Sequence, residues 1–140
     1  MTTTQRKQQR SPHQPTGCWC RPEKRLAIYL RDGLACAWCG HSIEDGASLS
    51  LDHLTCQRDG GSHDASNLIT ACERCNKSRG ARSVKQFATA VAAYLNHGVK
   101  PAEILSHIRA CMKRDLTPAK AEAKAMIARR GSYARVMASL

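Results

Sequence analysis

The chain has 140 residues, 42% of them apolar and 4% aromatic, with a formal net charge of +11. That length suits about one domain, and so few aromatics mean a core built mainly from Leu, Ile, Val and Ala. No apolar run approaches the roughly 20 residues that a membrane-spanning helix needs, and the opening MTTTQRKQQRSPHQP lacks the apolar stretch of a secretory signal.

Residues 1–20 read as a basic, disordered tail rich in Gln, Arg, Thr and Pro. Pro22 then opens a short helix in RPEKRLAIYLRDG, with Gly33 just past its end. Residues 21–82 contain a block dense in Cys, His, Asp, Gly and Asn, which marks the functional module. Within it Leu49 and Leu51 alternate with Ser50 and Asp52, so Leu49–His53 reads as a strand. QRDGGSHDAS is a polar loop, LITA a second short strand, and ERCNKSRG a helix.

Residues 83–140 form a basic helical extension. In SVKQFATAVAAYLNHG the apolar residues Val84, Phe87, Ala88, Val91 and Leu95 recur at helical spacing, with Ser83 as N-cap and Gly98 as the stop. PAEILSHIRACMKRD places Ile104, Leu105, Ile108, Cys111 and Met112 on one face. Thr117-Pro118 reads as a cap and a first-turn proline of a helix ending near Gly131. A last short helix holds Tyr133, Val136 and Met137.

Charge is unevenly spread: residues 1–25 sum to +5, 26–76 to −4 and 77–140 to +10. Basic flanks attract phosphate, and an acidic centre suits divalent cations, so nucleic acid is the expected partner. The plainer role of such charge is to solvate helix faces.

Eight cysteines in a chain without an export signal indicate metal before disulfides. Cys36-Ala-Trp-Cys39 and Cys72-Glu-Arg-Cys75 are two CxxC knuckles separated by 32 residues. Together they supply four thiolates, a closed tetrahedral zinc site that staples distant segments and has no open position for catalysis. Cys18 and Cys20 are expected as reduced thiols near the tail, with a second metal site as the alternative, and Cys111 as a core residue. The expected organisation is strand, loop, strand, helix around one zinc, in an α+β fold with a helical C-terminal extension.

The series Asp52-His53, then Asn67-Leu68, then Cys72-x-x-Cys75-Asn76 resembles the HNH endonucleases. More narrowly, it resembles zinc-stapled members whose third motif residue is Asn, and RLAIYLRDGLACAWCG is similar to what precedes the motif in many of them. The resemblance spans roughly residues 25–80 and implies a ββα-metal module. It implies that His53 is the general base, that Asp52 and Asn76 hold a catalytic Mg²⁺ or Mn²⁺, and that Asn67 braces the loop and orients the histidine. Arg79 stands where relatives often have Lys, which implies a phosphate contact. Arg74, Lys77 and Arg82 read from the sequence itself as solvated side chains that become nucleic-acid contacts only with DNA present.

The chemistry agrees with these roles. A neutral imidazole can take a proton from water near pH 7, and Asp and Asn oxygens are hard ligands suited to Mg²⁺. Plainer roles remain for each: His53 as a strand residue, Asp52 as a turn cap, Asn67 as a loop cap, Asn76 as a helix residue after the knuckle. His41 and His63 read as polar loop residues, and Trp38 as packing. The expected function is metal-dependent hydrolysis of DNA, most simply double-stranded, with little sequence preference, in the cytoplasm of a bacterial or phage-infected cell. The alternative is a non-catalytic zinc module that binds nucleic acid. The C-terminal helices are a candidate docking surface for a protein partner. Asp52 is expected beside Asn76, with His53 opening to the same cleft.

Overall fold

The computed structural model describes residues 20–56 and 59–140. The expected tail lies outside the described residues except for Cys20, and the reading of Cys18 lies there with it. Helix α1 (Pro22–Arg31) starts at its proline, and Gly33 takes φ 81° beyond its end. Strands β1 (Leu49–His53) and β2 (Leu68–Cys72) pair antiparallel, with Leu49 opposite Cys72 and His53 opposite Leu68. Their connection includes a 3-10 turn, Ala65–Asn67. Helix α2 (Glu73–Arg79) follows β2 without a break. The extension supplies α3 (Val84–Leu95), α4 (Pro101–Lys113), α5 (Thr117–Arg130) and α6 (Tyr133–Ser139). This is the expected α+β arrangement of a small ββα module followed by helices.

Two helix ends differ from expectation. Helix α3 stops two residues before Gly98, because Asn96 itself takes the left-handed conformation at φ 51° and closes the last turn onto Ala92; Asn tolerates this region better than most residues. Thr117 is the first helical residue of α5, and the carboxylate of Asp115 accepts its N–H instead. Ser83 is the cap the sequence indicated, bonding the Gln86 N–H while the Gln86 side chain accepts from the Ser83 N–H.

A two-stranded sheet is rarely stable alone. Here every residue of β2 is buried, because helices cover both faces. On one face α1 sets Ile28 and Tyr29 against Leu51 and Leu68, and α5 and α6 close over α1 through Ala123 and Val136. On the other face α3 and α4 bring Phe87, Val91, Ile104 and Ile108 onto Trp38, Ile69 and Ala71. Burying each large apolar side chain contributes about 1.5–3 kcal/mol. The extension thus completes the module's core.

The outer edge of β2 would expose unpaired backbone groups. They are occupied: Asp32 accepts the Thr70 N–H, Arg31 donates to the Leu68 carbonyl, and the Ala37 N–H reaches the Thr70 carbonyl. Arg31 and Asp32 also pair at 2.7 Å, both fully buried. The first knuckle is thereby fastened to the sheet edge.

Candidate functional site

The four knuckle cysteines, Cys36, Cys39, Cys72 and Cys75, bring their sulfurs within 4.8 Å of one another. In each knuckle the fourth residue's N–H points back at the first sulfur, Cys39 N to Cys36 Sγ at 3.5 Å and Cys75 N to Cys72 Sγ at 3.4 Å. The Cys39 and Cys72 sulfurs are 3.7 Å apart. That is too long for a disulfide and close to the ~3.8 Å edge of a tetrahedron with metal–sulfur bonds of about 2.3 Å. Packed together, the thiols divide the charge unevenly. Cys39 is held far below the usual thiol range, chiefly by hydrogen bonds from Cys36 and Cys75. Cys36 is pushed up to about 12, chiefly by its bond to Cys39. A divalent cation relieves such competition by favouring thiolates at all four positions. The cluster fits a structural metal such as zinc.

The second centre lies at the far end of β1. Strand pairing continues through His53, so the pleat persists and Asp52 and His53 point to opposite faces. Asp52 turns inward and is buried. Its Oδ2 accepts from Trp38 Nε1 at 3.0 Å and its Oδ1 from Arg79 Nη1 at 2.7 Å. Trp38 is therefore more than packing. It meets Phe87 edge-on and also fixes the carboxylate. Asn76 turns its amide nitrogen to β1, donating to Ser50 Oγ at 2.9 Å and to the Leu51 carbonyl at 3.3 Å. A carbonyl only accepts, so the Asn76 oxygen must lie on the other side of the amide.

Asp52, His53, Asn76 and Arg79 nevertheless border a single cleft of about 740 Å³, closed opposite by residues 80–86. His53 is half-buried, and Nε2 lies 2.9 Å from Nδ1 of His63. Burial first, and the neighbouring His63 second, lower the His53 pKa against a weaker opposite pull from Asp52. The imidazole is therefore held in its neutral, basic form near pH 7.

Asn67 ties the loop together. Its Oδ1 accepts the Thr55 N–H, and its Nδ2 donates to the carbonyls of Thr55 and Ser62, all at 2.8–2.9 Å. Its own carbonyl accepts the Leu54 N–H. The loop crosses itself closely at Gly61, where a Cβ would fall 1.7 Å from the Thr55 oxygen; only glycine allows that approach.

The four basic residues named from sequence separate. Arg79 is buried and turned inward: besides Asp52 it donates to the carbonyls of Arg82, His53 and Leu54 at 2.8–3.2 Å. It therefore shapes the cleft from behind and is not placed as a phosphate contact. Arg82 is exposed on the cleft wall. Arg74 stacks on Tyr94, 4.2 Å from the ring centroid, beside the cysteine cluster. Lys77 pairs loosely with Glu73 at the surface, 3.9 Å apart. His41 is an exposed loop residue, as read from sequence, bonding the Asp45 carbonyl.

A two-stranded sheet and short helix, gathered around four clustered cysteines that could hold a metal and opening a polar cleft beside a neutral histidine, define a small ββα module. Residues 36–82 match the family model described as HNH endonuclease. Comparisons with curated proteins and with solved structures give no match. No helix among the described residues is long and apolar enough to cross a membrane.

Proposed function

We propose that the module is a metal-dependent endonuclease that hydrolyses phosphodiester bonds of DNA, nicking or cutting with little sequence preference of its own. The observation that carries this reading is the single cleft that gathers Asp52, His53 and Asn76 within a module matching the HNH endonuclease family. His53 takes the proton from the attacking water, a task that suits a neutral imidazole. Asn67 holds the loop beside it. Asp52 and the Asn76 side-chain oxygen would hold Mg²⁺ or Mn²⁺. One carboxylate and one amide oxygen form a sparse donor set, which fits a cation that keeps several waters and also uses substrate phosphate. An ionised carboxylate has about four acceptor sites, and Trp38 and Arg79 use two of them. When bound, such a cation supplies charge relief at the phosphate. The four cysteines hold one structural Zn²⁺, and the exposed Lys and Arg of α2, α5 and the cleft wall hold the DNA backbone.

A second reading has one observation in its favour. Asp52 is already committed to a buried ion pair with Arg79, as in a module that binds nucleic acid through its zinc fold and cuts nothing. Incubation with supercoiled plasmid separates the two. The nuclease reading predicts relaxation or linearisation with Mg²⁺ or Mn²⁺ and none in EDTA. DNA binding without cleavage in every cation would select the alternative.

A further inference from the structure

We propose that His63 is a positioning residue for His53: it accepts a hydrogen bond from His53 Nε2, fixing the tautomer that carries its basic lone pair on Nδ1. The proposal rests on the nuclease reading for its consequence and on geometry for its substance. The two nitrogens lie 2.9 Å apart, and the rings meet edge-on with centroids 5.0 Å apart at 61°. One proton lies between them, so its direction decides which nitrogen of His53 is basic. If His63 donated, the His53 lone pair would be spent on His63 and no base would remain. If His53 donates, Nδ1 keeps the lone pair.

His63 is not a residue that merely drifts near. Lys24 of α1 donates to the His63 carbonyl. Asn67 holds the preceding Ser62 carbonyl, and the Asp64 N–H returns to Ser62 Oγ at 3.2 Å. Arg31, itself locked to Asp32, holds the Ala65 carbonyl at 2.9 Å. The segment that presents His63 is thus anchored to α1 on one side and to the loop brace on the other. Orientation of a base by a second group is how a weak imidazole is aimed at one proton.

The test uses the full chain, with metal content and thermal unfolding checked for each variant. Ring ¹⁵N spectra, taken without DNA, should show His53 as the Nε2–H tautomer in the wild type and as a mixture in His63→Leu. His63→Asn, whose side-chain oxygen replaces the accepting nitrogen, should restore the single tautomer. In plasmid cleavage, His63→Leu should lower kcat roughly 10- to 100-fold, a fraction of what a general base contributes, with KM nearly unchanged. His63→Asn should recover most of that loss, and His63→Leu should add nothing to His53→Ala. An Nδ1–H tautomer in the wild type, or an unchanged tautomer in His63→Leu, overturns the pairing. Absence of cleavage by the wild type would sink the nuclease reading instead, while the spectra still decide the pairing.

Discussion

Replacing Arg79 with Met takes away a guanidinium that is 8% exposed and sits 2.7 Å from a carboxylate equally buried. The methionine fills much of the volume, so the loss is electrostatic. Asp52 would keep only the Trp38 N–H. Breaking a buried pair and leaving one charge behind costs about 3–5 kcal/mol. The carbonyls of His53, Leu54 and Arg82 also lose their donor, but they border the cleft and water can reach them, so they add little. A loss of about 4 kcal/mol in a domain of this size lowers Tm by about 15 °C. Thermal unfolding followed by circular dichroism at neutral pH measures it. In an Asp52→Asn background there is no stranded charge, and Arg79→Met should cost less than half as much. A loss below about 1 kcal/mol, or an equal loss in both backgrounds, would refute the view that this pair organises the cleft.

Purified protein should carry one tightly bound zinc, and Cys36→Ser should lose both the metal and cooperative unfolding, since metal binding at such a site is largely folding energy; a folded, zinc-free wild type would contradict the cysteine assignment. Gly61→Ala should destabilise the chain by about 1–3 kcal/mol through the contact with the Thr55 carbonyl, read as a fall in the denaturation midpoint. An unchanged midpoint would mean that the loop does not cross itself there. Binding to duplex DNA should weaken linearly in log–log with added salt, and a flat response would count against the basic surface.

Much of this arrangement was legible because its signals are local. The Leu49/Leu51 alternation, the LITA run, the two knuckles and the Ser83 cap each declare themselves within a few residues. What remained hidden depends on residues far apart in sequence. Arg79 meets Asp52 across 27 positions and Arg31 reaches Leu68 across 37, and no periodicity reports such pairs. Asp52 was read as a cation ligand through the resemblance, and nothing local to SLDHLT signals its inward bonds to Trp38 and Arg79. A buried Trp must satisfy its N–H, so Trp38 between the knuckle cysteines was the one available hint that an inward acceptor was needed. The His53–His63 contact is set by how the loop folds, and QRDGGSHDAS reads only as a polar loop. The strand read over Leu49–His53 holds to its last residue, because β2 continues to Leu68 opposite His53.

The most direct test of the central claim compares wild type with His53→Ala on supercoiled plasmid in Mg²⁺ or Mn²⁺, alongside a DNA-binding assay. The half-buried imidazole packs beside the cleft and supports no buried charge, so the variant should fold, retain its zinc and bind DNA with similar affinity. Its cleavage rate should fall by roughly 10²- to 10⁴-fold, the usual contribution of a general base. Equal cleavage by the two proteins would contradict the role given to His53 and, with it, the assignment of this cleft as the reaction centre.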